Sequence, residues 1–133
     1  MNKILVAIDG SDASLHAARK ALELGNDVTL ATVVTPLFIP AEVAFDASGF
    51  QEEAIHAAED LLANTAKELG KPAISRVCLQ GSVAEAISDF ADSNRFDLIV
   101  IGSKGRGAVS RVLLGSNTDR LVHIAKKPVL VVR

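Results

Sequence analysis

Between Ile101 and Arg120 the chain reads IGSKGRGAVSRVLLGSNTDR, with glycines at positions 102, 105, 107 and 115. From Gly102 to Ser116 it holds three basic side chains, Lys104, Arg106 and Arg111, and no acidic one. Glycine lets backbone N–H groups approach a ligand closely and takes conformations other residues avoid. Ser116 opens what reads as a helix, and a helix start offers unpaired N–H donors at the positive end of a dipole. Those parts together suit an anion, phosphate above all. A second polar turn, Asp9-Gly10-Ser11-Asp12, follows the first apolar run of the chain. Each feature also has a purely structural reading. Asp9, Ser11 or Asp12 could cap the helix that follows. Ser116 and Asp119 stand at capping-box spacing, and a cap hydroxyl competes with a phosphate for the same N–H groups. Gly115 could be no more than a tight helix entry.

The elements that must position these turns come from the rest of the 133 residues, a length that predicts one domain with a proper core. Nearly half the residues are apolar, at 49%, which argues against disorder. A net charge of −2 gives no basic field for nucleic acid, and without Trp or Tyr there are few stacking platforms for single strands. One cysteine, Cys78, excludes an internal disulfide, and the three histidines, His16, His56 and His123, share no ligand spacing. No apolar run approaches a membrane span. Met1-Asn2-Lys3 leads straight into a strand pattern, which predicts no signal peptide and a soluble cytoplasmic protein.

KILVAI (Lys3 to Ile8) is a continuous apolar run of the kind that parallel sheets bury on both faces. A helix is expected from about Asp12 to Leu24, stopped by Gly25, and a second strand over Asp27 to Val34. Thr35 to Phe50 holds two prolines and little periodicity, and reads as a long irregular connection. A second helix is expected over about Gln51 to Leu69, ended by Gly70 and Pro72. Ala73 to Gln80 alternates more than the other strands and reads as an edge strand, with Cys78 a small buried residue. Ser82 and Glu85 form a capping-box pattern that opens a third helix to about Ser93. Leu98 to Ile101 is a fourth strand, about Ser116 to Ala125 a fourth helix, and Val129 to Val132 a fifth strand.

Such strand–helix alternation predicts an α/β fold: a three-layer, open, five-stranded parallel sheet with four helices on its two faces. The expected strand order is 3-2-1-4-5. Ligands of open α/β sheets bind beyond the C-terminal strand ends where the order reverses. That rule places the site between Asp9-Gly10-Ser11 and Gly102 to Gly107.

A Walker A loop is absent, and one glycine after the first strand is no dinucleotide fingerprint. A receiver-type site would need clustered acids after strand one and a lysine after strand five, where this chain stops. What stands is Gly102-x2-Gly105-x9-Gly115-Ser116. With that spacing, with KILVAIDGSDAS at the start and LLGSNTDRLVHIAKKPVLVVR at the end, the chain resembles the universal stress protein family, in its nucleotide-binding branch marked by G-x2-G-x9-G-[ST]. The resemblance is close at both ends and loose in the middle. It implies a Rossmann-like fold of the adenine nucleotide alpha hydrolase type.

Carried over by position, the resemblance implies that Asp9, closing strand one, contacts the adenosine portion. It places Ala7 as backbone near the adenine, Val33 as an apolar lining of the base pocket, and Ile101 before the first motif glycine. Gly102 and Gly105 would let the loop wrap the ribose and phosphates. Gly115, Ser116 and the N–H of Asn117 would receive phosphate; family members often carry a small apolar residue where Asn117 stands. The resemblance thus implies an ATP-binding stress-response or regulatory protein, with ATP, ADP or AMP as ligand, with or without Mg. It also implies a homodimer paired through the Val129 to Val132 edge. Efficient phosphoryl transfer needs a metal-holding carboxylate and a positioned base, which the loop lacks, so hydrolysis is expected to be slow or absent. Two other readings stay open: a dimeric interaction module that binds no nucleotide, and a slow ATPase.

Overall fold

The computed structural model describes residues 2–36, 47–105 and 114–133. Nine elements follow one another: β1 (Lys3–Ala7), α1 (Asp12–Leu24), β2 (Asp27–Val34), α2 (Ala47–Glu68), β3 (Ser75–Gln80), α3 (Val83–Ser93), β4 (Leu98–Gly102), α4 (Ser116–Ile124) and β5 (Val129–Val132). The strands form one parallel sheet in the order β3-β2-β1-β4-β5. Ala7 lies beside Ala31 of β2, and Val6 beside Val100 of β4.

Alternation along each strand divides the core in two. Ile4, Val6, Val28, Leu30 and Val100 face α1 and α2, where Ala17, Ala18, Ala21, Leu62 and Ala66 meet them. Leu5, Ala31, Ile99 and Ile101 face α3 and α4 and pack on Ala84, Ile87, Ala91 and Leu121. β1 is central, so Ile4, Leu5 and Val6 are wholly buried, which is why its run carries no polar alternation. β3 stands at one edge and is the most exposed on its first turn of chain, as its alternation predicts.

Several boundaries and caps differ from expectation. α2 begins at Ala47, four residues before Gln51, so the end of the expected Thr35–Phe50 connection is helical. No proline follows Pro40 to halt a helix there, and a Cβ at Gly49 would meet nothing within 4 Å. Residues 37–46 of that connection lie outside the described residues. α2 ends as foreseen: Gly70 has φ 72, its N–H donates to Lys67 O, and Lys71 N–H donates to Ala66 O. That pair of bonds is a Schellman motif. Gly25, by contrast, is extended (φ −171) and ends α1 by lying against Ile4, whose Cδ1 would be 3.2 Å from a Cβ there. β3 starts at Ser75 because a turn, Ile74 N–H to Lys71 O at 3.0 Å, occupies its expected first residues.

The capping box at Ser82 does not form, since the Ser82 side chain makes no cap bond. Glu85 is drawn instead to Arg120 of α4, whose Nε and Nη2 donate to Oε2 at 3.0 and 2.7 Å. A charge-assisted fork outcompetes one neutral backbone N–H. The Arg120 hydrogen bond holds the Glu85 carboxyl below its ordinary range. Cys78 is half-buried on β3; burial first, and then the Glu59 carboxylate, pushes its thiol up and keeps it protonated. No helix among the described residues is long and apolar enough to cross a membrane.

Candidate functional site

The first wall of the site is the turn after β1. Ile8 N–H still reaches Ala31 O at 2.7 Å, and then Gly10, at φ 87, swings the chain away from the sheet. Asp9 does not cap α1. Ser11 does, accepting from Ser14 N–H at 3.1 Å. Asp9 Oδ1 accepts both the N–H and the hydroxyl of Ser11, at 2.9 and 2.5 Å. The other carboxylate oxygen points at the glycine loop, where a Cβ at Gly105 would lie 2.9 Å from Oδ2.

The second wall is the turn after β4. A Cβ at Gly102 would come within 2.8 Å of the backbone carbon of Ala13 in α1. A Cβ at Gly115 would lie 3.1 Å from the backbone nitrogen of Gly105. All three motif glycines therefore mark close approaches of chain to chain. The loop's two ends are stitched together: Ser103 N–H donates to Val132 O at 2.7 Å, and Gly115 N–H donates to Ser103 O at 2.8 Å. Thr118, 2% exposed, donates its hydroxyl to Gly102 O at 2.7 Å.

The Ser116–Asp119 capping box does not form either. The N-cap is Gly115, with no side-chain cap bond, and Ser116 is the first helical residue. The first intrahelical bond runs from Asp119 N–H to Gly115 O at 2.9 Å. The N–H groups of Ser116 and Asn117 precede it and have no carbonyl behind them in the helix. No hydroxyl competes for them, so the start of α4 is left as a backbone donor cluster with the positive end of its dipole.

The third wall is the end of β2. In a parallel ladder the N–H and C=O of one residue turn to the same neighbour, and those of the next residue to the other. Ala31 O is taken by Ile8 on the β1 side, and Val34 O accepts from Gly81 N–H at 3.1 Å on the β3 side. Val33, two residues beyond Ala31, thus turns its N–H and C=O toward β1, where β1 has already ended. A donor and an acceptor side by side face the space between the walls.

That space is a cavity of about 740 Å³. All nine residues singled out from the sequence line it: Ala7, Asp9, Val33, Ile101, Gly102, Gly105, Gly115, Ser116 and Asn117. Lys104 lines it too, as does Asp119. Arg106 and Arg111, the other two basic residues of the loop, lie outside the described residues, as does Gly107. Asp119 is largely exposed, and its carbonyl is engaged by His123 Nδ1 at 2.7 Å. Among the described residues no group of three or more His, Cys, Asp or Glu side chains is placed to hold a metal ion.

The sequence reading missed two threonines. Thr118 lines the cavity as well as bonding Gly102. Thr32 lines it at 6% exposure, with no hydrogen bond to its hydroxyl among the described residues. A threonine in a strand buried on both faces has to place a hydroxyl somewhere, and that was the available signal.

The whole chain, residues 1–133, matches the model of the universal stress protein family. The chain belongs to that family. A universal stress protein of Thermus aquaticus is 35% identical over 133 residues, covering 98% of this chain and 97% of the relative. Among solved structures, a universal stress protein from Lactobacillus plantarum superposes with a TM-score of 0.85 at 26% identity, covering 99% of this chain and 97% of that one. Another universal stress protein, solved in complex with cAMP, has a TM-score of 0.60 at 26% identity, covering 99% and 96%.

In this universal stress protein the motif glycines differ in what they displace. Gly102→Ala drives a Cβ into the backbone of Ala13 and should cost about 1–3 kcal/mol of stability. Gly105→Ala meets only the tip of Asp9 and should cost less than ~1 kcal/mol. Urea unfolding of both variants measures the difference, and equal losses would contradict this geometry.

Proposed function

We propose that this universal stress protein binds an adenine nucleotide, ATP or its ADP and AMP relatives, in the cavity between the end of β1 and the Gly102–Ser116 loop, and serves as a cytoplasmic stress-response or regulatory protein. The observation that carries the reading is the pairing of two backbone features across one cavity. At one end stand the N–H and C=O of Val33. At the other stands the start of α4, with Gly115 as its cap and no side-chain cap bond. The Watson–Crick edge of adenine offers an acceptor beside a donor, which Val33 complements. The start of α4 complements phosphate. Ala7 and Ile101 close on the base, Asp9 meets the adenosine portion, Gly102 and Gly105 let the loop wrap the ribose and phosphates, and Gly115, Ser116 and the N–H of Asn117 receive phosphate. The volume suits a ligand of this size. The solved relative that holds cAMP supports the adenine nucleotide class.

Mg enters this reading only as a counter-ion carried by the phosphates. Turnover is not part of it: Asp119, the carboxylate nearest the start of α4, points largely into water, and Asp9 stands at the nucleoside end. We propose no nucleic-acid role. We further propose a homodimer through β5. It is a sheet edge among the described residues, and an apolar edge such as PVLVV invites pairing.

Protein freshly purified from cells should release stoichiometric adenine nucleotide on denaturation, identified by mass spectrometry. The stripped protein should bind ATP and release phosphate far more slowly than a dedicated ATPase. Gly115→Val, checked for folding, should lose at least about tenfold in ATP affinity, since its side chain would crowd the Gly105 backbone. A folded Gly115→Val protein that binds ATP like the wild type would refute the placement. No nucleotide and no titration signal would leave a dimeric interaction module. For the dimer, Val131→Lys should shift sedimentation toward the monomer, and an unchanged dimer would rule out the β5 edge.

A further inference from the structure

Thr118 is the most deeply buried hydroxyl at the cavity, and its bond to Gly102 O spans 16 residues of chain. Gly102 is the last residue of β4, and the ladder shows which way its carbonyl looks. Ile99 N–H and Ser103 N–H both donate toward β5, to Pro128 O and Val132 O. The alternate residues, Val100 and Gly102, turn to β1 instead, where Val100 finds Val6. Gly102 lies beyond the last β1–β4 pair, so its carbonyl has no ladder partner on that side and opens into the cavity that it lines.

A carbonyl oxygen there would carry negative charge toward the same N–H groups that await phosphate. At close range such a dipole repels an anion. The Thr118 hydroxyl sits on that oxygen at 2.7 Å. It also ties the second residue after Ser116 to the end of β4, which fixes where the N–H groups of Ser116 and Asn117 stand.

We infer that Thr118 is a positioning residue that masks the Gly102 carbonyl and so tunes this site for the phosphate part of its ligand, not for the nucleoside. The inference rests on the nucleotide reading above. Its signature is selective: loss of the hydroxyl uncovers an acceptor beside the phosphates and leaves the Val33 end of the cavity unchanged.

The test is calorimetric titration of the wild type, Thr118→Val, Thr118→Ala and Thr118→Ser with ATP and with adenosine. Thr118→Val keeps the shape and removes the donor. It should weaken ATP binding about tenfold, while adenosine binding changes less than about twofold. Thr118→Ala, which relieves any packing strain, should move in the same direction and serves if Thr118→Val does not fold. Thr118→Ser restores the donor and should restore ATP affinity. ATP binding unchanged in Thr118→Val and Thr118→Ala, equal losses for ATP and adenosine, or no rescue by serine would each overturn the inference. A wild type that binds neither ligand would overturn the nucleotide reading itself, and this inference with it.

Discussion

Everything at the C-terminal end of the sheet depends on three close approaches at glycines, tightest against backbone at Gly102. Gly102 lies on the backbone of Ala13, Gly105 under the carboxylate of Asp9, and Gly115 on the backbone of Gly105. A side chain at Gly102 would press on the backbone of α1, and one at Gly115 on the backbone of Gly105. With glycine, the turn after β1 and the loop after β4 meet, and the cavity between them acquires a floor of backbone. The stitching follows from that closeness. Ser103 can reach Val132 on one side and Gly115 on the other only because the loop's ends are adjacent.

The consequence is a site in which main-chain dipoles stand beside polar side chains such as Lys104, Asn117 and Thr118. Val33 offers an N–H and a C=O where β1 has stopped, and α4 offers its first N–H groups with no side chain capping them. Fixed dipoles of this kind need no reorganisation when a ligand arrives. Of the acids that line the cavity, Asp9 holds Ser11 and Asp119 is largely exposed. This arrangement supports the binding role proposed for this member of the family.

Much of the fold was legible because hydrophobic patterns are dictated by burial. The unbroken apolar run of β1 announced a central strand, and the alternation of β3 announced an edge. Once the sheet is parallel, the switch-point rule points to the two turns that line the cavity. Local motifs were less dependable. Both capping boxes failed, at Ser82 because Arg120 claims Glu85 from 35 residues away, and at Ser116 because Gly115 takes the cap position. A local pattern cannot register a competitor supplied by another helix. Nor could the side-chain sequence reveal what Val33 does, since its contribution is backbone polarity. Only the resemblance to the universal stress protein family pointed to that position. The glycines were legible as a motif but not as packing, because their partners Ala13 and Asp9 come from the other end of the chain.

The central claim is that one ligand spans from Val33 to the start of α4. Amide chemical shifts of isotope-labelled protein report on it directly. Adenosine should move the Val33 amide and leave Ser116 and Asn117 nearly still, whereas ATP should move all three. An ATP titration that leaves Val33 unmoved and shifts the opposite end of the sheet, around Gly25 to Asp27 and Gly70 to Ser75, would contradict the account.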